Sequence, residues 1–151
     1  MQNNIPFPQA DDFNKIIAIV NISKKEDLNN NELIKIILGE ISDRQVNYYI
    51  SAASFLGIIA IEKRKRIFTE FGIYLRQINS VLQEVELISA ILSLPVFGKV
   101  FVLKKMIGEQ NVNDIASLIK EIYPNYSDAI CNRRAQTVLK WVEWILDKLP
   151  N

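Results

Sequence analysis

The chain has 151 residues, of which 49% are hydrophobic and 23% charged, and its formal net charge is +1, a profile that suits one globular domain or two very small ones. It contains no histidine and a single cysteine, Cys131, which excludes an internal disulfide, zinc fingers, zinc hydrolases and histidine-dependent nucleophilic sites. No apolar run reaches the roughly eighteen residues of a membrane span, and the N-terminus lacks a signal-peptide pattern, so we expect a cytoplasmic protein without membrane contact.

The N-terminal segment predicts an extended lead-in followed by two helices. Ile5-Pro6-Phe7-Pro8 is expected to be extended because proline disfavours a helical conformation in the residue before it. Apolar residues at helical spacing predict a first helix from about Asp11 to Asn21, with two aspartates in its first turn. After a polar connector, Asn29 and Glu32 form a capping-box pattern that opens a short helix over Glu32–Leu38, ending at Gly39.

The next segment carries the clearest helix signal in the chain. Ser42 is followed three residues later by Gln45, which is again a capping box, and the helix that it opens runs to Leu56 and ends at Gly57. The apolar residues of one helical face are Val46, Ile50, Ala53 and Leu56. Two helices joined by a few residues predict a helix-turn-helix, with Ser42–Leu56 as the recognition helix.

A β-hairpin is predicted directly after this helix. Ile58–Ile61 and Ile67-Phe68 are β-prone, and the charged residues Glu62–Arg66 between them predict a basic hairpin tip. Three helices followed by a basic hairpin is the element order of a winged helix. We therefore predict a winged-helix unit over residues 1–78.

The second half of the chain predicts a further helical unit over residues 79–151, packed with the first. A helix from Thr69 towards Arg76 precedes it, and Ser80 with Gln83 forms another capping box that opens a helix through Leu92. The helices predicted after Pro95 are Val96–Met106, Asn113–Ile122 and, capped by Ser127, Asp128 to about Leu149. This order predicts a second helix-turn-helix, without a wing, and hence a mainly α fold of tandem helix-turn-helix units.

The polar face of the recognition helix is the first candidate site. If the apolar residues point inward, Arg44, Gln45, Asn47, Tyr48 and Ser51 are available to the major groove of DNA. Arginine can bridge guanine, asparagine can bridge adenine, and tyrosine or serine can donate to phosphates or base edges. The alternative is that these residues form an ordinary solvated helix face. Tyr49 and Phe55 are predicted to be core residues.

Two basic segments are further candidates for DNA contact. Lys63, Arg64, Lys65 and Arg66 on a hairpin tip would reach phosphates, although charged tips also protect sheet edges from aggregation. On the last helix, Arg133, Arg134, Gln136 and Lys140 are candidates if Trp141 and Trp144 lie in the core. The alternative there is pairing of Arg133 or Arg134 with Asp128 or another acidic residue. Glu62-Lys63-Arg64 fits a metal-dependent nuclease centre only superficially, so no metal, cofactor or catalytic residue is predicted.

Several of these segments together resemble a known family. They are Ile5–Pro8, DRQVNYYISAASFLGII (Asp43–Ile59), Phe68–Gly72, Leu94–Phe97 and NRRAQTVLKWVEWIL (Asn132–Leu146). The pattern is similar to the winged-helix domain that accompanies bacterial restriction endonucleases. The resemblance implies a target-recognition module that is fused to a nuclease domain or works beside a nuclease subunit. Because no nuclease segment is present, it implies a separate specificity subunit, a fragment of a larger enzyme, or a member with another regulatory role.

The function expected from these features is binding of double-stranded DNA without catalysis by this chain. One alternative is a protein-interaction winged helix, in which Ile58–Ile61 and the C-terminal tryptophan helix dock a partner or form a homodimer. Another is a stand-alone transcription regulator.

Overall fold

The structure is a computed structural model that describes residues 6–150, so Ile5 of the predicted lead-in, the N-terminal residues before it and Asn151 lie outside the description. The described chain is mainly helical with one small two-stranded sheet, which confirms the predicted fold class. It divides into two compact units between Glu86 and Leu87, a boundary that falls inside a helix. The sequence placed this boundary after residue 78.

The first helix of the N-terminal unit, α1 (Phe13–Val20), is shorter than predicted. The backbone nitrogen of Asn14 donates to Asp12 Oδ1 at 3.1 Å, so Asp12 is the N-cap and lies before the first turn, not in it. The hydroxyl of Tyr49 accepts from the backbone nitrogen of Asp12 at 3.1 Å and joins this helix end to a later helix. The polar connector that follows is partly ordered as a short 3-10 helix, Lys25–Asn29.

A helix-turn-helix follows, formed by α2 (Asn31–Ile37) and α3 (Asp43–Phe55). Ser42 Oγ accepts from the backbone nitrogen of Gln45 at 3.2 Å, which confirms the predicted cap of α3. The cap of α2 is Asn30 and not Asn29, because the Asn30 side chain accepts from Leu33. The residues predicted to face the core of the unit are all buried: Val46, Ile50, Ala53 and Leu56, together with Tyr49 and Phe55.

The hairpin consists of β1 (Ile59–Glu62) and β2 (Lys65–Phe68), which pair antiparallel with Glu62 opposite Lys65. The turn is therefore only two residues long, and the predicted five-residue tip is wrong. Lys63 and Arg64 have φ angles of 51° and 66°, the left-handed values that a type I′ turn requires at both central positions. Such a turn matches the right-handed twist of the two strands, which favours this tight register.

The helix α4 (Glu70–Gln77) begins where the hairpin ends and packs closely against its root. Thr69 caps α4, and its backbone nitrogen donates to the carbonyl oxygen of Ile58 at 3.0 Å. A Cβ on Gly72 would lie 2.3 Å from that same oxygen, so only glycine fits here. The next helix, α5 (Ser80–Leu92), is capped by Asn79, whose Oδ1 accepts from Leu82, and not by Ser80 as predicted.

The C-terminal unit contains α6 (Pro95–Met106), α7 (Val112–Ile122) and α8 (Asp128–Lys148). Pro95 occupies the first turn of α6 and Ser127 caps α8, as predicted. The rings of Phe97 and Trp141 stack in the core with centroids 5.0 Å apart. Residues 87–150 contain no strand, in agreement with a wingless second unit.

No single helix among residues 6–150 is long and apolar enough to cross a membrane. The bent pair Ser80–Leu92 and Pro95–Met106 passes the same test by length and composition only.

Candidate nucleic-acid interface

The polar side of α3 carries the residues that the sequence predicted for DNA contact. Arg44, Gln45 and Asn47 are exposed, while Tyr48 and Ser51 are half-buried. The Nε of Arg44 donates to the hydroxyl of Tyr48 at 2.7 Å, and the guanidinium carbon lies 5.5 Å from the centre of the Tyr48 ring. Arg44 and Tyr48 therefore form one paired group on the first turns of α3, held together by a hydrogen bond and a cation–π contact.

The start of α3 is fixed to α2 by a lysine between two carboxylates. Lys35 Nζ lies 2.9 Å from Asp43 and 3.0 Å from Glu32. These two hydrogen bonds, that to Asp43 first, raise the pKa of Lys35 above its ordinary value of 10.5. The ion pair holds the first turn of α3 against α2 at the end of the helix where the Arg44–Tyr48 pair lies.

Arg66 lies on β2 and its side chain points back towards the helices, although the sequence placed it on the hairpin tip. Its Nη1 donates to the carbonyl of Leu28 at 3.0 Å and to Asn31 Oδ1 at 2.6 Å. Its Nη2 donates to Asn47 Oδ1 on α3 at 3.4 Å. Partial burial lowers the pKa of Arg66 below its ordinary value, but an arginine stays protonated at neutral pH, so the group keeps its charge.

The side chain of Asn29 holds the outer edge of the same strand. Its Nδ2 donates to the carbonyl of Arg66 at 3.0 Å, and its Oδ1 accepts from the backbone nitrogen of Arg66 at 2.9 Å. In a two-residue hairpin the pair next to the loop exchanges backbone hydrogen bonds, while the following pair, here Ile61 and Arg66, directs these groups outward. Asn29 thus supplies the partners that a third strand would provide, and it anchors the wing to the helical part of the unit.

The other basic residues of the hairpin are exposed. Lys63 and Arg64 form the turn, and Lys65 is the first residue of β2, opposite Glu62. Ile61 shares a strand face with Arg66 because directly paired residues point to the same side of a sheet, and its side chain is 63% exposed. The hairpin therefore presents to the solvent the cations Lys63, Arg64 and Lys65, the carboxylate of Glu62, and the apolar side chains of Ile61 and Ile67.

Of the residues predicted for DNA contact on α8, the two arginines make contacts within the unit, and the other two residues are exposed. The guanidinium of Arg134 lies 4.9 Å from the ring centre of Tyr126, which stacks on Tyr123 at 4.8 Å. Arg133 Nη1 donates to Thr137 Oγ1 at 3.4 Å, and both arginines are half-buried. Gln136 and Lys140 are exposed, while Trp141 and Trp144 are buried as predicted. Lys120 forms an ion pair with Asp128 at 3.7 Å.

Residues 15–150 match the family described as domain of unknown function (DUF7226). The chain belongs to this family. The matched range includes nearly all of both compact units, so the DUF7226 domain comprises the hairpin-bearing unit and the wingless unit together. No curated protein and no solved structure matches the chain.

Two features of the DUF7226 domain differ from the sequence-based prediction. The protein-interaction alternative assigned Ile58–Ile61 and the C-terminal tryptophan helix to a docking surface, but Ile58, Ile59 and both tryptophans are buried in their own units, while Ile61 is 63% exposed. Asn29 and Asn31, which hold the wing through Arg66, were not predicted as part of the site, because only the pairing of β2 shows that they face it. Within residues 6–150, no three His, Cys, Asp or Glu residues are grouped so that they could hold a metal ion.

Proposed function

We propose that this DUF7226 protein is a DNA-binding target-recognition module that has no catalytic activity of its own. In this proposal α3 enters the major groove, the hairpin contacts the phosphates beside it, and the protein acts in the cytoplasm within a restriction-modification system. A nuclease, as a separate subunit or a fused domain, performs any cleavage.

The contact between the hairpin and α3 is the main observation that supports the proposal. The Arg66–Asn47 hydrogen bond joins the strand that follows the basic turn to the exposed polar side of α3. A helix that exposes Arg44, Gln45 and Asn47 beside a basic hairpin offers base-edge donors and phosphate contacts on one continuous surface. Both parts are held in place before binding, which lowers the entropic cost of association.

The charges on this surface have separate roles in the proposal. Lys63, Arg64 and Lys65 are exposed, and in this proposal they contact the DNA backbone, where each phosphate contact releases condensed counterions. Arg44 and Asn47 lie on the helix and read base edges. In the second unit, the exposed Gln136 and Lys140 supply an additional contact, while Arg133 and Arg134 stiffen the helix that presents them.

Selection from a random duplex library tests whether α3 determines the base preference while the hairpin turn contributes contacts to the phosphates. The wild-type protein should enrich a defined sequence, and Arg44→Ala or Asn47→Ala should relax the preference at one or two positions of that sequence. Lys63→Gln with Arg64→Gln should weaken binding to all sequences alike. A matched control is Lys99→Gln with Lys105→Gln, which removes the same charge from exposed positions of α6. An unchanged sequence logo for both α3 variants would contradict the proposed role of α3.

The link to restriction rests on the family resemblance of the Asp43–Ile59 and Asn132–Leu146 segments. It predicts that a methyltransferase or nuclease gene lies beside the gene for this chain. Neighbouring genes of unrelated metabolism would instead favour a stand-alone transcription regulator, for which the same DNA-binding surface would serve.

A second candidate function is protein interaction, which exposed apolar residues on α5 favour. Val81, Leu82 and Val85 are 66%, 47% and 53% exposed, and they lie on the side of the helix opposite the buried Leu87. An apolar stripe of this kind is a common feature of protein interfaces. Sedimentation of the wild-type protein and of a Val81→Ser, Val85→Ser variant tests this role: a concentration-dependent dimer that the variant abolishes supports it, and a monomer throughout contradicts self-association.

A further inference from the structure

Asn47 is the base-reading candidate whose side chain is tied to another element of the fold. Its Oδ1 accepts from Arg66 Nη2 at 3.4 Å, and the same guanidinium is anchored by Leu28 and Asn31. A carboxamide is planar, with oxygen and nitrogen on opposite sides of the Cγ atom. When the oxygen faces Arg66, the Nδ2 group must point away from the hairpin.

We propose that Arg66 is a positioning residue that orients the Asn47 carboxamide, so that Asn47 presents its Nδ2 donor to an acceptor on a base edge. The inference rests on the proposed DNA-binding function and names what one residue of that surface reads. In the major groove, adenine and guanine present N7, guanine also presents O6, and thymine presents O4, whereas cytosine presents only an amino donor. On the strand that Asn47 contacts, cytosine is therefore the disfavoured base.

The geometry also separates Arg66 from the phosphate-binding residues. Three of its five N–H groups are committed to the acceptors at Leu28, Asn31 and Asn47, and its side chain is half-buried. Lys63 and Arg64 are exposed in the turn. A change at Arg66 should therefore alter base preference and leave the salt dependence of binding nearly unchanged, while a change in the turn should do the reverse.

Arg66→Lys is the first test, because lysine keeps the positive charge but lacks the planar fork that reaches three acceptors. Its discrimination against cytosine, measured as a ratio of dissociation constants on two duplexes, should fall about fivefold to tenfold, the lower part of the range for a base-edge contact. Asn47→Ala should lose the same discrimination at the same position. The double variant should lose no more than either single variant, because both changes remove one interaction.

A measurement without DNA separates this inference from the proposed function. In NMR spectra of the free protein, Arg66→Lys should shift the side-chain amide resonances of Asn47, while the control Arg64→Lys leaves them in place. If the protein binds no DNA but this shift occurs, the orienting contact stands and the DNA-binding function is wrong. If the Asn47 resonances do not move with Arg66→Lys, the orienting role is wrong whatever the protein binds.

Asn47→Asp gives a second variant that keeps the contact with Arg66 while removing the donor. A carboxylate only accepts hydrogen bonds, so the preference at this position should shift towards cytosine, whose amino group donates. If Asn47→Asp weakened DNA binding equally with each of the four bases at this position, the proposal that Asn47 donates to a base edge would be wrong. A decrease of about one in the salt slope for Arg66→Met, together with unchanged base preference, would show that Arg66 contacts a phosphate instead.

Discussion

Gly72 provides a sharp test of how the hairpin is joined to α4. The residue lies inside a helix, where replacement of glycine by alanine normally stabilises a protein by roughly 0.5–1 kcal/mol. Here the added Cβ would lie 2.3 Å from the carbonyl oxygen of Ile58 and 3.0 Å from the ring of Phe68. That oxygen also accepts a hydrogen bond from the backbone nitrogen of Thr69 at 3.0 Å, so moving it would disturb the residue whose hydroxyl caps α4.

We therefore expect Gly72→Ala to destabilise the protein by about 2–3 kcal/mol, near the upper end of the usual cost of overpacking. For a chain of this size the melting temperature should fall by roughly 4–12 °C. Urea denaturation and calorimetry measure the change, with Ser89→Ala, an exposed substitution on α5, as the control. A melting temperature equal to or above that of the wild type would refute the close approach of α4 to the start of β1.

Three further predictions concern the hairpin turn, the core of the C-terminal unit and the start of α3. Lys63→Gln with Arg64→Gln should reduce the magnitude of the slope of log affinity against log salt concentration by about 1.8, because each phosphate contact contributes about 0.9. Between roughly 50 and 200 mM salt, the affinity of the variant should therefore fall about twelvefold less than that of the wild type. Anisotropy titrations measure this slope, and an unchanged slope would contradict phosphate contact by the turn. Trp141→Ala should destabilise the protein by about 3–5 kcal/mol, since the ring is fully buried against Phe97; a loss below about 1 kcal/mol in urea titration would contradict that core. The raised pKa of Lys35 means that its contribution to stability is fully present below the unfolded value near 10.5 and is lost as the pH rises through the higher folded value. The difference in free energy of unfolding between the wild type and Asp43→Asn should therefore become smaller as the pH rises through this alkaline range. A difference that does not change with pH would contradict the Lys35–Asp43 ion pair.

The succession of elements was largely predictable because the local signals are strong. Ser42, Pro95 and Ser127 each mark a helix start, and the apolar spacing of α3 places its core face correctly. The caps of α2 and α5 were each misplaced by one residue. In both cases two neighbouring polar residues can accept the same backbone hydrogen bond, and only the path of the chain into the helix decides between them.

The site was less predictable because its residues are joined through contacts distant in sequence. A run of four basic residues gives no indication that Arg66 turns inward while Lys63 and Arg64 remain exposed. That outcome depends on the two-residue turn, which places Arg66 in a strand, and on acceptors at Leu28 and Asn31 more than thirty positions away. Within the alternative docking segment Ile58–Ile61, Ile58 and Ile59 are buried while Ile61 is 63% exposed, because the inner face of a short hairpin root is covered by its own helices.

Binding of duplex DNA tests the central claim most directly. A labelled mixed-sequence duplex, titrated with the wild-type protein at about 50 mM salt, should show non-specific binding that weakens steeply as the salt concentration rises to about 200 mM. The double hairpin variant should bind more weakly at the lower salt concentration, and the Lys99→Gln, Lys105→Gln control should bind like the wild type. No binding of the wild-type protein to any mixed duplex at low salt would contradict the account.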